Sequence, residues 1–368
     1  MSSSISKLKK ICFAHYVGPQ ETRGWDLLSR DYVEFSRDLG FEPIISTTLR
    51  IKYFRLICTM LSADVFLAAY PILFGPYFVS PRARIVTNLN KLFWSTLLKA
   101  NRKVRSILFV YDLPLDQWIF QGIKPSNDAY RFESSFLSSF DILCVFNNAM
   151  KKVISQRYKI PNNRFVEFEL LDCRARFTPP VTKKIDRNNW RIIYSGNADQ
   201  QYVGRWLASI SPAKNLTYEV LGPYGDWISS LGRPDVEYHG FIVDKISELT
   251  SRHHEYLSSR ADFGIIKYTD QMKMYCRYSS TSKFSSYVSA GLPVLVPDDY
   301  QYITRLVRKY DVGLTFSSLD EVPEILRGLT TAKYQQMRNN CLCLSEKLSN
   351  GYFFKRALKL SLKKLALD

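Results

Sequence analysis

The sequence predicts an α/β protein of two Rossmann-like domains, and three observations support that prediction. The chain has 368 residues, which is too long for one ordinary hydrophobic core and suits two domains of roughly 150 to 200 residues each. Short apolar segments alternate with longer amphipathic segments, as in a parallel sheet whose strands are connected by helices. One polar, proline-containing stretch interrupts the alternation, which then starts again.

The first half of the chain repeats the order strand, helix. The predicted strands are Ile11–His15, Pro43–Ser46, Val65–Ala69, Ser106–Tyr111, Ile142–Phe146 and Arg164–Phe168. The predicted helices are Trp25–Leu39, Arg50–Leu61, Arg82–Ala100, Tyr130–Ser139 and Ala149–Arg157. This repetition predicts a first domain over residues 1–171.

The stretch Asp172–Asn189 mixes charges with proline, which predicts a linker between domains. Six further strands are predicted at Arg191–Ser195, Thr217–Leu221, Val236–His239, Phe263–Ile266, Val294–Val296 and Gly313–Phe316, giving a second domain over residues 190–330. Ligands of open parallel sheets bind beyond the carboxyl ends of the strands, so the loops after these strands are the expected binding site. The last segment, residues 331–368, has helical composition.

Positive charge is abundant in the chain and unevenly distributed. The formal net charge is +17 at pH 7. Two segments contain no acidic residue, Val65–Tyr111 and Lys347–Leu367. Their basic residues are Arg82, Arg84, Lys91, Lys99, Arg102, Lys103 and Arg105 in the first, and Lys347, Lys355, Arg356, Lys359, Lys363 and Lys364 in the second. Such a field attracts polyanions, including anionic lipid head groups, lipid-linked diphosphates and nucleic acid.

Both basic segments also contain aromatic and leucine residues, a composition typical of helices at a membrane interface. A helix packed on the core with a solvated basic face has the same composition, and both interpretations are open. No stretch approaches the roughly 18 apolar residues of a membrane span, and Ile11–His15 is too short for a signal-peptide core. Seven cysteines lack C-x-x-C spacing and four histidines lack a metal-ligand pattern. We therefore expect a cytoplasmic protein, peripheral on the inner face of the membrane, with no metal site.

The most specific motif is Y-C-R-Y-S-S-T-S-K-F-S-S-Y-V-S-A-G-L-P at Tyr275–Pro293. A polar loop leads to Ser282 and Lys283, an amphipathic helix follows, and Ala290–Pro293 leads into a strand. Backbone N–H groups at a helix start favour a diphosphate, and a lysine there adds a compact positive charge. The segment resembles the donor-binding helix of GT-B glycosyltransferases, in which an S-K or H-K pair opens a helix that ends in A-G-x-P-V.

Other segments resemble the same family in the expected order. In the second half they are Ile192–Asn197, Val220–Gly225, Tyr238–Phe241 and Phe263–Ile266. In the first half they are Tyr111–Pro114, Glu133 with Leu137 and Asp141, and Asn147–Met150. The latter resemble a subgroup that includes the bacterial glucosyltransferases of serine-rich adhesins and the galactofuranosyltransferases of O-antigen clusters.

The resemblance implies two Rossmann-like domains that face each other across a cleft, with the C-terminal helices packing toward the first domain. It also implies metal-independent transfer of a hexose from a nucleotide sugar, a UDP-sugar in particular, with no other cofactor. The implied nucleotide-sugar-binding residues are Gly196, Asn197, Tyr224, Phe241, Tyr268, Ser280, Thr281, Ser282 and Lys283. Structural alternatives are open for these residues. Lys283 could be an exposed first-turn lysine, Ser282 a helix cap, and Gly196 with Asn197 an ordinary turn.

One departure from the family concerns catalysis. The largest type of retaining GT-B enzyme carries two glutamates seven residues apart, and Ser279 and Ser286 occupy those positions here. Their absence favours an inverting displacement, which needs a carboxylate or imidazole to accept the proton of the acceptor hydroxyl. The candidates are Asp112, Asp26 and His15. Each could instead be structural, Asp26 as a helix cap, Asp112 as a turn residue at the end of a strand and His15 as a core histidine.

Acceptor binding is expected at the loop after the first strand, through Gly18, Arg23, Gly24 and Trp25. The expected partners are a nucleotide sugar, a glycan or lipid-linked glycan acceptor and an anionic membrane surface, with no nucleic acid. A non-catalytic binder of nucleic acid or anionic surfaces on a Rossmann-like scaffold is the alternative; it explains the charge but not the ordered motifs. A nicotinamide oxidoreductase is disfavoured because no G-x-G-x-x-G follows the first strand.

Overall fold

The computed structural model describes residues 11–16, 24–39, 45–46, 63–70, 95–100, 103–120, 122–174, 178–180, 183–240 and 246–365. The chain forms two units. Unit 1 comprises Met1–Leu170 together with Gly351–Asp368, and unit 2 comprises Leu171–Asn350. Each unit is built on one six-stranded sheet, and within the described residues all strand pairs are parallel.

The strands lie at the positions expected from the apolar segments, to within one or two residues at their ends. They are β1 (Ile11–Tyr16), β2 (Ile45–Ser46), β3 (Val65–Tyr70), β4 (Arg105–Val110), β5 (Ile142–Val145), β6 (Phe165–Glu167), β7 (Trp190–Ser195), β8 (Leu216–Leu221), β9 (Val236–Tyr238), β10 (Phe263–Ile265), β11 (Val294–Pro297) and β12 (Gly313–Phe316). The order is β2-β1-β3-β4-β5-β6 in unit 1 and β12-β11-β10-β7-β8-β9 in unit 2. The predicted α/β class with two parallel sheets is confirmed.

The helices fill the connections between strands. They are α1 (Gly24–Asp38), α2 (Pro114–Phe120), α3 (Asn127–Ser138), α4 (Asn148–Tyr158), α5 (Arg205–Ser209), α6 (Ile246–Arg260), α7 (Asp270–Lys273), α8 (Ser282–Ser289), α9 (Gln301–Tyr310), α10 (Val322–Arg327), α11 (Thr331–Ser349) and α12 (Tyr352–Leu365). Residues 95–100 are also helical. The rest of the predicted helix Arg82–Ala100 and all of Arg50–Leu61 lie outside the described residues. No helix in the described part of the chain is long and apolar enough to cross a membrane.

The core of unit 1 includes an aromatic cluster that covers the apolar face of α12. Phe354 lies 4.6 Å from Tyr32 and 4.9 Å from Phe109, measured between ring centroids. Tyr32 in turn stacks on Tyr111 at 5.5 Å. The basic residues of α12 also bind within unit 1, and the contacts are Lys355 with Asp38 (3.0 Å), Arg356 with Glu169 (3.2 Å) and Lys364 with the carbonyl of Asn163 (2.8 Å).

The core of unit 2 packs α11 against its sheet. The rings of Trp190, Phe263 and Tyr334 contact one another at 5.5 to 5.6 Å. Arg338 of α11 is fully buried and donates to the carbonyls of Gly291 and Pro180, both at 2.7 Å. Pro180 belongs to the segment predicted as a linker, so α11 ties this segment and the end of α8 together within unit 2.

Candidate functional site

The order of strands in unit 2 creates a crevice between β7 and β10. The chain leaves β7 toward β8 and β9 on one side, whereas β10 leads to β11 and β12 on the other. The loops that follow β7 and β10 therefore diverge, and such switch points are where open parallel sheets bind ligands at the carboxyl ends of their strands. The loop after β7 begins at Gly196, and the loop after β10 begins at Ile266 and leads through Tyr268 to α8.

Lys283 lies in the first turn of α8. The helix is capped by Thr281, whose hydroxyl accepts from the backbone N–H of Lys283 at 3.2 Å. The Lys283 ammonium lies 5.1 Å from the centre of the Tyr194 ring and 5.0 Å from that of Tyr268. Burial lowers the pKa of Lys283 to about 8, and no carboxylate of the described residues forms an ion pair with it. A half-buried cation without a counter-ion is suited to bind an anion.

Gly196 makes room for this ammonium. A Cβ atom at this position would lie 2.7 Å from both Cε and Nζ of Lys283, so the lysine packs directly on the glycine backbone. The φ angle of Gly196 is +144°, a value that favours glycine. Gly222 follows β8 and is packed as closely, because a Cβ there would lie 1.8 Å from the carbonyl oxygen of Gly196. The amide of Gly222 donates to Gly240 at 2.8 Å, so the glycines after β7, β8 and β9 form one backbone layer.

The structure brings most of the predicted donor-binding residues together. Tyr268 contacts Thr281 through a 2.7 Å hydrogen bond between their hydroxyls. Asn197 is exposed, and its carbonyl accepts from the Tyr194 hydroxyl at 3.0 Å. Ser282 is exposed at the helix start, whereas Ser280 is buried and its hydroxyl has no hydrogen-bond partner among the described residues.

Of the two remaining predicted donor-binding residues, one stands apart from this group and the other is not described. Tyr224 lies on the loop after β8 with 69% of its surface exposed, and in the described part of the chain no hydrogen bond or ring contact joins it to Lys283 or Tyr268. Phe241 lies outside the described residues. Roles for these two residues stay predictions.

Several residues at the crevice were missed by sequence reasoning. Tyr194 is the aromatic neighbour of Lys283. Tyr287, one turn further along α8, accepts from the backbone N–H of Ser195 at 2.7 Å. The Ser195 hydroxyl contacts Nε2 of His253 at 2.7 Å, and burial lowers the pKa of His253 to about 4, so this imidazole is neutral at pH 7. These residues come together only through packing between α6, α8 and β7, and their local sequence carries no signal of it.

The predicted catalytic and acceptor-binding residues of unit 1 are described less completely. His15 lies in β1, and Gly24, Trp25 and Asp26 open α1, but only the backbone of these residues is described. Gly18 and Arg23 lie outside the described residues. Asp112 follows β4 and is 5% exposed. Its role and the roles of the others stay predictions.

The remaining motif residues of unit 1 have structural contacts. Glu133 is fully buried, and its two carboxylate oxygens accept from the hydroxyls of Tyr70 and Tyr158. Asp141 accepts from the backbone N–H of Ser106 at 2.7 Å, which ties it to β4. Asn147 caps α4 by accepting from Met150 at 3.0 Å. These contacts explain why the fold needs such residues without assigning them chemistry.

One group of side chains in the described residues could offer atoms to a metal ion, and it consists of Glu219, Glu237 and His239. Arg191 occupies both carboxylates, since it bonds to Glu219 and lies 3.0 Å from Glu237. The arginine already offsets one of the two negative charges, and His239 Nε2 lies 3.2 Å from Glu219. These side chains form a network of ion pairs across β7, β8 and β9.

Comparisons with known proteins concern the family and the fold of the chain. Residues 192–361 match the model of the family described as glucosyltransferase 3-like, C-terminal domain. A stretch of 84 residues is 34% identical to glucosyltransferase 3 of Streptococcus gordonii, covering 23% of this chain and 25% of that protein. Another of 85 residues is 28% identical to the β-1,6-galactofuranosyltransferase WbbI of Escherichia coli, covering 23% and 26%. The matched part therefore spans about a quarter of each curated relative.

Two solved structures resemble this chain over almost its whole length. HepE of Anabaena, solved with UDP and glucose, has a TM-score of 0.59 at 12% identity, covering 96% of this chain and 99% of its own. The UDP-forming trehalose-phosphate synthase of Burkholderia xenovorans, solved with glucose-6-phosphate, has a TM-score of 0.56 at 11% identity, covering 96% and 100%. At this identity the likeness concerns the fold, and it confirms the predicted GT-B type. Residues 192–361 thus match the glucosyltransferase 3-like C-terminal domain family, and the chain has the fold of GT-B glycosyltransferases.

Proposed function

We propose that this protein is a glycosyltransferase that transfers a hexose from a UDP-sugar to a glycan acceptor, by an inverting displacement that needs no metal ion. The observation that carries the proposal is Lys283. Its ammonium is half-buried between two tyrosine rings, lacks a carboxylate partner among the described residues, and lies at a helix start and against Gly196. The family match and the UDP complex of HepE support a nucleotide sugar as the ligand.

The proposed chemistry of the donor site is electrostatic. When the sugar leaves, negative charge grows on the UDP diphosphate, and an ammonium already in place stabilises it without reorganisation. The first N–H groups of α8 add hydrogen-bond donors and the positive end of the helix dipole. Because Lys283 supplies the charge that a divalent cation supplies elsewhere, metal-independent transfer fits this donor set.

The proposed acceptor site belongs to unit 1. A general base there removes the proton of the acceptor hydroxyl, and Asp112, Asp26 and His15 are the candidates. Asp112 follows β4 at the carboxyl edge of the sheet, where parallel sheets bind ligands. Replacing Asp112 by Asn keeps the shape and removes the base. If Asp112 is that base, kcat falls about 100-fold or more while UDP affinity is unchanged.

Isothermal titration with UDP tests the donor site. The wild-type protein should bind, and Lys283→Met should weaken binding about 10- to 100-fold, since a charge-assisted contact contributes about 1.5 to 3 kcal/mol. Lys214→Met is the matched control, because Lys214 is an exposed lysine of the same unit. Equal binding by all three proteins would contradict the assignment. A screen of UDP release from several nucleotide sugars, with water as the default acceptor, then identifies the donor.

The alternative is a non-catalytic binder of nucleic acid or anionic surfaces, and the same proteins distinguish it. Duplex binding that falls steeply with salt, together with no heat on adding UDP, would favour that alternative. We also propose that the enzyme works in the cytoplasm on an anionic membrane surface. The exposed basic residues Lys99, Lys103 and Arg105 in an acid-free segment support this proposal.

A further inference from the structure

The two strands at the switch point of unit 2 separate before they end. β7 and β10 pair at Phe263 with Ile192 and at Gly264 with Ile193. Beyond that register, the backbone N–H of Ser195 and the carbonyl of Ile265 have no strand partner across the gap. Both groups nevertheless have a hydrogen-bond partner, and it is the same atom. The hydroxyl of Tyr287 accepts from Ser195 at 2.7 Å and donates to Ile265 at 3.3 Å.

The position of Tyr287 depends on the absence of a side chain on β10. The ring is fully buried against Gly264, where a Cβ atom would lie 2.3 Å from the ring carbon Cγ. Glycine in the interior of a strand weakens it and often marks a place where another group approaches closely. Here the group is the ring of Tyr287, which packs on Gly264 and places its hydroxyl in the gap between β7 and β10.

Tyr287 and Lys283 are four residues apart on α8, so they share one face of the helix, one turn from each other. Ser195 and Gly196 are neighbours at the end of β7. Tyr287 bonds to Ser195, and Lys283 packs on Gly196 at the distance given above. The two contacts therefore join one face of α8 to adjacent residues at the end of β7.

We infer that Tyr287 is a positioning residue whose hydroxyl holds the β7 loop at the distance from Lys283 that the anion site requires. The inference rests on the proposed function of that site, because it assigns Tyr287 a role in donor binding. Without the hydroxyl, the end of β7 loses its link to α8, Gly196 is free to move away, and water reaches the ammonium. The affinity for a diphosphate then falls, although Tyr287 itself does not touch the ligand.

The test uses Tyr287→Phe, which removes one oxygen atom and keeps the ring. Tyr334→Phe is the matched control, since Tyr334 is buried in the same unit and its hydroxyl donates to the Asp262 carbonyl at 3.2 Å. We expect Tyr287→Phe to raise the Kd for UDP about tenfold, the effect of one or two buried hydrogen bonds. Tyr334→Phe should leave the Kd within about twofold while losing a similar amount of stability in urea.

A second measurement needs no ligand. Competitive labelling of lysines with an amine reagent across pH, read by mass spectrometry, gives the pKa of each lysine in the free protein. The pKa of Lys283 should rise toward its ordinary value in Tyr287→Phe, because a looser site hydrates the ammonium. It should not change in Tyr334→Phe. A merely structural tyrosine would lower stability without moving this titration.

The outcomes separate the inference from the proposed function. If wild type binds UDP and Tyr287→Phe leaves both the Kd and the Lys283 titration unchanged, the positioning role is wrong and the donor site stands. If wild type does not bind UDP but the Lys283 titration shifts only in Tyr287→Phe, Tyr287 does position the β7 loop at Lys283. The proposed UDP-sugar ligand is then wrong. If both tyrosine variants shift the titration equally, the effect is general loosening of unit 2 and the inference fails.

Discussion

Lys283 is the residue on which the proposed donor binding depends, and its protonation would give that binding a pH dependence. Burial lowers the pKa of Lys283 to about 8 in the free protein. A bound diphosphate favours the ammonium and raises this pKa, so binding takes up a proton when it occurs above pH 8. UDP affinity should therefore be constant below pH 8 and fall up to tenfold for each pH unit above it.

Titration calorimetry at several pH values between 6.5 and 9.5 measures this dependence. Lys283→Arg should bind UDP with no fall up to pH 9.5, because a guanidinium stays charged throughout that range. Lys283→Met should bind weakly at every pH. A wild-type affinity that is flat to pH 9.5 would show that Lys283 does not contact the diphosphate in its charged form.

Gly196 allows a test of the site that leaves the lysine in place. Gly196→Ala puts a Cβ atom 2.7 Å from Lys283 Cε and Nζ, and this contact must displace the ammonium. The φ angle of +144° adds backbone strain. We expect UDP affinity to fall at least tenfold. Gly232→Ala is the control, because Gly232 also has a positive φ, +61°, but has no atom within 4 Å of the new Cβ. A fall of similar size in Gly232→Ala would assign the effect to strain alone.

At the scale of elements, the strands were predictable from the sequence because their signal is local. A segment such as β3, buried along its whole length, is apolar along its whole length. The helix α2 was not predicted; it begins at Pro114, and proline is favoured in the first turn of a helix. The local motif around Lys283 was also predictable. Tyr287 and His253 were not, because their partners lie on distant segments of the chain.

Arg338 shows how one element fixes another. It is buried in α11 and donates to the carbonyls of Gly291, just beyond α8, and of Pro180. Gly291 has φ +70°, as is common where a helix ends in a left-handed residue. Arg338→Met fills a similar space but leaves the carbonyl of the buried Gly291 and the carbonyl of the exposed Pro180 without this donor. It should lower the free energy of unfolding by about 2 to 4 kcal/mol.

Urea denaturation with the matched variant Arg327→Met measures this effect. Arg327 is 65% exposed and pairs with Glu324 on the same helix surface, so its loss should change stability by less than about 0.5 kcal/mol. If Arg338→Met were as stable as Arg327→Met, the hydrogen bonds of Arg338 would contribute no net stability to unit 2.

At the scale of the whole molecule, the net charge of +17 could be read from the sequence. Which basic residues form contacts inside a unit and which stay exposed could not. In α12, Lys355, Arg356 and Lys364 contact Asp38, Glu169 and the carbonyl of Asn163 inside unit 1. The apolar face of this helix is packed in the core. The helix thus matches the interpretation of a packed helix with a partly solvated basic face, and its apolar face is not available to a membrane. Proposed membrane contact depends instead on the exposed basic residues of the acid-free segment Val65–Tyr111.

Binding to lipid vesicles tests that contact. The protein should sediment with phosphatidylglycerol vesicles at low salt and be released as salt rises, because the attraction is electrostatic. Replacing Lys99, Lys103 and Arg105 together by Gln should weaken binding about 100-fold, at about 1 kcal/mol for each basic residue near the surface. Replacing the exposed Lys184, Lys214 and Arg308 of unit 2 removes the same charge and should cost less than tenfold. Equal losses would mean that net charge alone drives adsorption, and no sedimentation by wild type would remove the membrane from the proposed function.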